Sequence, residues 1–398
     1  MRPQASFYLL ASITITFLAG SAAPTPLYPV YQALWGLSPL MITVVFGVYA
    51  LAVLTGLLIA GRVSDHLGRR PVLITATIAQ ALVMLMFATA ASAAGLVAAR
   101  VVQGLTTGAA LSAVGAAMID LNKRRGTIAN ALAPPFGSAL GGIVAGFFVQ
   151  FLPGPTHLVY AALAAVFVAQ SIGLSLMKEP ITPRPGVWQS LTPQLALPAA
   201  AREPLLLAVP VLIAVWALGG LYACLGPMLV REMLGSNAPL LGGLSLFVLA
   251  ASGGVAVLLL QNLEARRMMV LGALCLGVGI GIVMSAMALD SIGVFFAGTA
   301  IAGIGFGTGF QGAVRSVVSV VGPHERAGTL SIVFIISYIS MGVPAIIAGA
   351  TVRHGNLLAT AQVFGAVVMA LAAAALIATV LRATSSSRAA APAAARRY

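Results

Sequence analysis

The stretch GRVSDHLGRRPVL, residues 61–73, places one acid and three arginines between two long apolar runs. These runs cover roughly residues 39–63 and 71–92. Each is near or above the ~20 residues that an α-helix needs to cross ~30 Å of hydrocarbon. The stretch therefore predicts a short polar connection between two membrane-spanning helices.

The same alternation of apolar run and short polar connection continues along all 398 residues. With 60% hydrophobic residues, 7% charged residues and a mean hydropathy of +1.05, the chain has more apolar side chains than one soluble core can hold. We predict an all-α membrane protein with twelve transmembrane helices, over roughly 6–32, 39–63, 71–92, 94–119, 127–152, 156–177, 204–230, 238–260, 268–289, 292–319, 328–351 and 357–381.

The basic residues orient these helices. Seventeen of the 21 Lys and Arg residues lie in alternate connections and in the two tails, while Arg231 and Arg353 lie in the others and Arg100 and Arg315 within spans. The positive-inside rule then places both termini in the cytoplasm, and we expect the cytoplasmic (inner) membrane of a bacterium. The net charge of +13 is explained by anionic lipid headgroups and does not indicate nucleic acid.

The first span has an alternative interpretation. Arg2, the apolar stretch after it and the small residues 20–23 resemble a cleavable signal peptide. A retained helix is favoured, because cleavage would leave eleven spans and break the alternation of charge.

A proline-rich polar segment divides the chain. Residues 178–203 contain five prolines and separate six predicted spans from six others. We predict an N-terminal six-helix bundle at 1–177, a cytoplasmic linker at 178–203, a C-terminal six-helix bundle at 204–381 and a disordered tail at 382–398.

The quoted stretch resembles the loop signature of the major facilitator superfamily, G-x-L-x-D-R-x-G-R-[KR]-x-x-L. It departs at Val63 and His66, where the signature has leucine and arginine. The resemblance implies two pseudo-symmetric six-helix bundles that expose a central site alternately to the two sides. The positions that match are Gly61, Asp65, Gly68, Arg69 and Arg70.

The resemblance also implies a gate. Asp65 is expected to meet the start of span eleven, at Gly328 and Thr329, and Arg69 is expected to meet an acid at the end of span four, here Asp120. These contacts would latch the bundles while the protein is open to the outside. The alternative is that Arg69 and its neighbour Arg70 only anchor the helix end at the membrane surface.

Span four contains Arg100, Gln103 and Gly104, which resemble the superfamily's R-x-x-Q-G pattern. That pattern is linked to proton coupling in the twelve-helix drug/proton antiporters, so the resemblance leans toward this branch. Arg100 lies about six residues, or ~9 Å, from the outer end of the helix. A charge at the bilayer centre costs ~2.5–3.5 kcal/mol, so we expect a partner or a watery cavity and a role in coupling or binding. The alternative is that Arg100 extends to the outer headgroups.

Span five is similar to an antiporter signature that ends G-P-x-x-G-G, with a serine in place of the proline. This similarity favours export, although Pro134 and Pro135 could bend the helix without indicating a direction. The matching residues are Gly137, Ser138, Gly141 and Gly142.

The ionisable residues limit the substrate. All eight carboxylates and four histidines fall in connections or at helix ends, so we expect no metal, no cofactor and no enzymatic chemistry, and a neutral or anionic substrate. By resemblance, spans one, four, seven and ten should line the cavity. The candidates there and on flanking helices are Thr16, Phe17, Tyr49, Trp216, Tyr222, Phe310, Gln311 and Tyr338.

The leading hypothesis is a secondary transporter that exports a small neutral or anionic organic compound, acts as a monomer and has the proton as a candidate second partner. The alternative is a metabolite importer or facilitator of the same fold, in which Arg100 binds an anionic group. A third class is a membrane receptor that has lost transport.

Overall fold

The computed structural model describes residues 1–234 and 238–394, and this part of the chain contains sixteen α-helices, one 3₁₀ turn at Thr25–Leu27 and no strand. The α-helices are α1 (Pro3–Ala22), α2 (Tyr28–Trp35), α3 (Pro39–Ala60), α4 (Val63–Leu67), α5 (Arg69–Ala88), α6 (Ala93–Leu121), α7 (Lys123–Phe151), α8 (Pro155–Ser175), α9 (Val187–Ser190), α10 (Ala199–Cys224), α11 (Gly226–Leu234), α12 (Pro239–Leu259), α13 (Ala265–Ala288), α14 (Ile292–Val318), α15 (Arg326–His354) and α16 (Leu357–Ala394).

Twelve helical segments in the described residues are long and apolar enough to cross a membrane, which confirms the predicted all-α fold. The first of them, Pro3–Trp35, combines α1, the 3₁₀ turn and α2. The break follows from Pro24 and Pro26, since each proline removes a backbone donor from the helix. The other eleven spans are α3, α5, α6, α7, α8, α10, α12, α13, α14, α15 and α16.

Successive spans alternate in direction, so the molecule has two ends. Arginines and lysines concentrate at the end that holds the linker and the connections 61–68, 122 and 319–325. We call this end the basic end. The opposite end holds the other set of connections, including 36–38, 89–92 and 152–154.

The spans form two six-helix bundles, each around its own apolar core. One core runs from Leu10 to Met177, and the other from Ala201 to Ala375 with Ala22 added from α1. Across the boundary α3 packs on α15 and α7 packs on α12. These two seams flank the space between the bundles.

The C-terminal tail begins with a continuation of α16, and its predicted disorder stays a prediction. Helix α16 continues past the candidate span Leu357–Arg382 as far as Ala394. Alanine is the strongest helix former, and this stretch is rich in alanine, so local propensity extends the helix. Residues 395–398 of the predicted tail lie outside the described residues.

Candidate functional site

Arg69 forms the centre of a charged cluster at the basic end. Its Nε lies 3.0 Å from Asp120 Oδ2, its Nη1 lies 2.5 Å from Asp65 Oδ1, and Nη1 also donates to Ser64 Oγ at 2.6 Å. The Arg69 side chain is 9% exposed, whereas that of Asp65 is 41% exposed. The contact that the resemblance implies between Arg69 and Asp120 is present, and the guanidinium also binds the second acid. Its part in gating stays a prediction.

Glu179 of the linker closes the N-terminus of α5. Its carboxylate accepts the backbone N–H of Arg69 at 2.8 Å and that of Arg70 at 3.0 Å. A carboxylate at a helix N-terminus satisfies unpaired donors and interacts favourably with the helix dipole. Gly68 permits this approach, with φ of 98° and no space for a Cβ beside Glu179 Oε2.

The two other residues that match the signature have local roles. Gly61 ends α3, and Arg70 donates to Ser175 O.

The rest of the linker follows the same loop. The N–H of Arg184 donates to Asp65 O at 3.3 Å, and His66 Nδ1 lies 3.2 Å from Arg184 O and 3.0 Å from Pro185 O. Because both of its neighbours are acceptors, this ring nitrogen must donate. His66 stands where the superfamily signature has arginine, so this departure from the pattern coincides with a contact to the linker.

The far end of the linker lies against the start of α15. Thr329 Oγ1 donates to Ala196 O at 3.3 Å, and a Cβ on Gly328 would lie 2.9 Å from the Cβ of Ala196. No hydrogen bond joins Asp65 to Gly328 or Thr329 among the described residues. That contact was expected while the protein is open to the outside, whereas here Asp65 binds Arg69. The gate therefore stays a prediction.

Arg100 is fully buried in the N-terminal bundle, with 0% of its surface exposed. It donates to Ser21 O at 2.9 Å, Gln103 Oε1 at 2.7 Å and Tyr28 OH at 2.7 Å. Its guanidinium carbon lies 4.9 Å from the centre of the Tyr49 ring. Arg100 therefore does not extend to the membrane surface, which excludes that alternative.

The neighbours of Arg100 join three helices. Gln103 Nε2 donates to Gly20 O at 3.0 Å, which ties α6 to α1. Gln80 of α5 donates to Thr107 Oγ1 at 2.8 Å and to Gln103 O at 3.2 Å. Gly104 provides space for α3, since a Cβ there would lie 2.7 Å from Tyr49 O.

A cavity of about 260 Å³ lies between the two bundles. Residues of α1, α3 and α7 line it from one bundle, and residues of α10, α12, α14 and α15 from the other. The predicted contribution from span four is absent, because α3 stands between α6 and the cavity. Of the eight predicted cavity residues, five line it, namely Tyr49, Trp216, Phe310, Gln311 and Tyr338.

The three other candidates lie elsewhere. Thr16 accepts a hydrogen bond from Gln170 at 2.8 Å and faces a groove between α1, α7 and α8. The ring of Phe17 packs on that of Phe167, with 5.2 Å between the ring centres. Tyr222 shares a 2.8 Å hydrogen bond with Thr299 inside the C-terminal bundle. Each sits on the face of its helix that is turned away from the cavity, and the sequence offered no marker of that rotation.

The cavity has an apolar wall with a few polar groups. Trp216 meets Phe310 edge to face at 5.4 Å and Tyr338 at 5.0 Å, and its indole Nε1 is buried without a hydrogen-bond partner. Asn130 and Ser138 of α7 also line the wall. Asn130 is not among the predicted cavity residues, although a lone amide in an apolar run is a signal that the sequence offers. No Asp, Glu, His, Lys or Arg appears among the lining residues of the described chain.

Close contacts seal the cavity toward the opposite end. A Cβ on Gly142 of α7 would lie 3.1 Å from Gly243 O of α12, and Gly243 itself has no room for a Cβ. Thr25 Oγ1 donates to Ala223 O at 2.8 Å, and Gln150 accepts from the N–H of Leu240 at 3.1 Å. Farther along the same seam, Asn130 and Val257 instead face the cavity, which thus extends toward the basic end.

The remaining predicted residues of α7 serve helix packing. Gly137 and Gly141 have backbone of α1 where a Cβ would be, at Ile15 and Ala19. Within the described residues, no group of three or more His, Cys, Asp or Glu is arranged to hold a metal ion.

Comparisons with known proteins agree with this architecture. The chain is similar in fold to a variant of nucleoside transporter NupG (12% identity, TM-score 0.73, 94% of this chain and 99% of that chain). It is also similar to a bacterial homolog of human lysosomal transporter Spinster in an inward-facing, unoccupied conformation (15%, 0.74, 95% and 98%). A third is the D-xylose–proton symporter (13%, 0.72, 93% and 96%). A search of curated protein sequences returned no match. The sequence model of the Major Facilitator Superfamily matches residues 10–263, so the chain belongs to this superfamily.

Proposed function

We propose that this chain is an alternating-access exporter of a small, neutral or anionic organic compound, with a proton as the exchanged ion. Its basic end faces the cytoplasm, and it acts as a monomer in the cytoplasmic membrane of a bacterium. The cavity between the bundles is the observation that supports this proposal, because it is sealed toward one end by α7–α12 and α3–α15 contacts.

The chemistry of the lining supports the substrate class. A cationic substrate needs a negative partner inside the membrane, and the lining residues in the described part of the chain include no carboxylate. The aromatic side chains of Trp216, Phe310 and Tyr338 suit a flat apolar body, and the unpaired Trp216 N–H offers a donor to one acceptor. An uncharged or anionic amphiphile matches both features.

Fewer observations bear on the direction of transport than on the substrate class. The resemblance of residues 137–142 to an antiporter signature supports export, but in this fold Gly137 and Gly141 pack against α1. The absence of a carboxylate or histidine from the lining favours the second candidate function, a facilitator or importer, because proton coupling usually needs a titratable group in the path. A symporter and a nucleoside transporter among the similar structures agree with either function.

Flux into proteoliposomes tests the proposal. The substrates are three compounds that share one body: N-benzoylglycine as the anion, its amide as the neutral form and N-benzoylethylenediamine as the cation. A weak acid or a weak base follows a pH gradient unaided, so each uptake is compared with that of protein-free vesicles. Accumulation above that level indicates antiport when the interior is acidic and symport when it is alkaline, and equilibration alone indicates a facilitator. These outcomes do not depend on the orientation in which the protein inserts.

The matched variants are Gly219→Phe and Gly293→Phe. Gly219 lines the cavity, where a Cβ would already lie 3.0 Å from Phe306, whereas nothing lies within 4 Å of a Cβ at the exposed Gly293. We expect Gly219→Phe to abolish flux and Gly293→Phe to leave it unchanged. Flux that is equal for wild type and Gly219→Phe would contradict transport through this cavity.

A further inference from the structure

Arg100 is a buried charge without a counter-charge. No carboxylate lies within 4.0 Å of it in the described chain, and its three hydrogen-bond partners are a carbonyl, an amide and a phenol. Among the described residues, none offers an acceptor to its Nε. Buried N–H groups almost always find a partner, and buried charges are usually paired, so this group is incomplete as it stands.

The side chain of Tyr49 adjoins both this charge and the cavity. Tyr49 lines the cavity, and its ring lies over the Arg100 guanidinium at 4.9 Å. Ser21, whose carbonyl accepts from Arg100, lines the same wall. On the other side the guanidinium lies 5.7 Å from the Phe87 ring, within the bundle core. The cavity and Arg100 therefore share a wall made largely by the ring of Tyr49.

We propose that Arg100 binds the carboxylate of a small amphiphilic organic anion that enters from the cavity when the Tyr49 ring swings aside. This inference rests on the proposed function and names its substrate class. The carboxylate supplies an acceptor to Nε and a charge to the guanidinium, and a charge-assisted hydrogen bond is stronger than the cation–π contact that it replaces.

The same features set the charge and the shape of the anion. One guanidinium with one unpaired N–H matches a single negative charge, and a dianion would leave a buried charge unpaired. The cavity wall next to Tyr49 contains Trp216 and Tyr338, so the rest of the ligand is apolar or aromatic. An aromatic monocarboxylate fits both requirements, whereas an inorganic anion lacks the body that fills the cavity.

The opposing interpretation is that Arg100 only holds α6 to α1. Its hydrogen bond to Ser21 O, together with that of Gln103 to Gly20 O, makes such a contact. The two interpretations differ in one respect. A structural arginine affects neutral and anionic ligands equally when it is removed, whereas a binding arginine affects the anion alone.

Binding of N-benzoylglycine and its neutral amide to the purified full chain tests the inference, with titration calorimetry at constant pH and salt. We expect wild type to bind the carboxylate at least about tenfold more tightly than the amide, the factor that corresponds to one good ionic contact. We expect Arg100→Gln to remove this preference while the affinity for the amide stays within about twofold. Arg100→Lys, which keeps the charge, should retain part of the preference.

Tyr49 provides the test that does not depend on how Arg100→Gln folds. We expect Tyr49→Ala to raise the affinity for the carboxylate about two- to fivefold, because no ring has to leave the guanidinium, and Tyr49→Phe, which keeps the ring, to lie between wild type and Tyr49→Ala. Equal affinities of wild type for the two ligands would overturn the inference, as would a Tyr49→Ala variant that changes both affinities alike.

These outcomes separate the inference from the proposed function. Suppose that both compounds cross the membrane, that Gly219→Phe blocks this flux, and that neither affinity depends on Arg100. This result would support the proposed transport and contradict the anion site at Arg100. If the carboxylate binds through Arg100 but no flux is detected, the result supports the anion site and contradicts the transport proposal.

Discussion

At the opposite end the two bundles meet backbone to backbone, whereas at the basic end they are joined through the linker. Gly142 and Gly243 allow α7 and α12 to touch without side chains, and Thr25 adds one hydrogen bond across the seam. At the basic end, Arg69 and its two acids all belong to one bundle, and Ala196 of the linker reaches Thr329 of the other.

The two ends differ in how much separation of the bundles their contacts tolerate. Contacts between glycine backbones act over a short range and are lost once the helices separate by more than about an ångström. The linker is hydrogen-bonded to one bundle through Glu179 and to the other through Ala196, so we expect its bonds to survive a larger displacement than direct backbone contacts do. We therefore expect the opposite end to respond sharply to added volume and the basic end to respond mainly to loss of charge.

Gly243→Leu should have the largest effect. A side chain at this position meets the backbone of Gly142, so it disfavours the sealed conformation by about 1–3 kcal/mol, or about 5- to 150-fold in population. Cys224 is the reporter, since it is fully buried near the opposite end beside Phe46 and Ala345. We expect its rate of maleimide labelling to rise by that factor in a Cys275→Ser background.

The control for this variant is Gly281→Leu on α13, where a Cβ would have only Met369 within 4 Å, at 3.7 Å. Labelling of Cys224 should not change there. A Gly243→Leu protein that labels at the wild-type rate would show that the seam tolerates volume, and the proposed contrast between the ends would fail.

Arg69→Ala should have the next largest effect. It leaves Asp65 and Asp120 close to each other without their shared cation, and Arg69 is nearly buried. Because both acids are partly exposed, we expect the lower part of the usual cost, about 1–3 kcal/mol of unfolding free energy. Thermal unfolding of the purified protein measures the change.

Arg267→Ala is the matched control for Arg69→Ala. Arg267 lies 3.6 Å from Glu264 in a pair whose side chains are 74% and 66% exposed, and such pairs contribute about 0–1 kcal/mol. Similar losses of stability in the two variants would mean that burial does not strengthen the Arg69 cluster.

The sequence predicts the fold well because its main signal is length and hydropathy. Twelve apolar runs with charged connections appear as twelve spans, and the motif at 61–73 leads to the contact between Arg69 and Asp120. The rotation of each helix is harder to predict. Lipid and bundle core are both apolar, so Phe17 and Tyr222 give the same pattern whether they face the cavity or the core.

The contacts of the linker were the other feature that the sequence could not predict. Its prolines indicate irregular backbone, which has no period from which contacts can be predicted. Glu179 at the start of α5 and Ala196 at the start of α15 both depend on where the chain returns in space. The arginine-to-histidine departure at His66 was visible in the sequence, but its contact with Pro185 needed coordinates.

Glu179→Gln should have a smaller effect than Arg69→Ala. The variant keeps one acceptor oxygen but loses the charge at the N-terminus of α5 and one of two backbone hydrogen bonds. Loss of such a cap costs about 0.5–2 kcal/mol of unfolding free energy. Thermal unfolding of Glu232→Gln, an exposed acid at the opposite end, is the control and should match wild type. Equal melting temperatures for the two variants would argue against a role of the linker in stabilising α5.

Thr25→Val should have the smallest effect, and it tests whether hydrogen bonding contributes to the seal alongside shape. The variant keeps the volume of Thr25 and removes only its bond to Ala223 O, which contributes about 0.5–1.5 kcal/mol. We expect Cys224 labelling to rise about two- to tenfold, well below the effect of Gly243→Leu. Thr55→Val is the control, because its hydroxyl bonds to Leu51 O within its own helix, and it should label as wild type does. If Thr25→Val labels faster than Gly243→Leu, the hydrogen bond and not the glycine contact holds the opposite end closed.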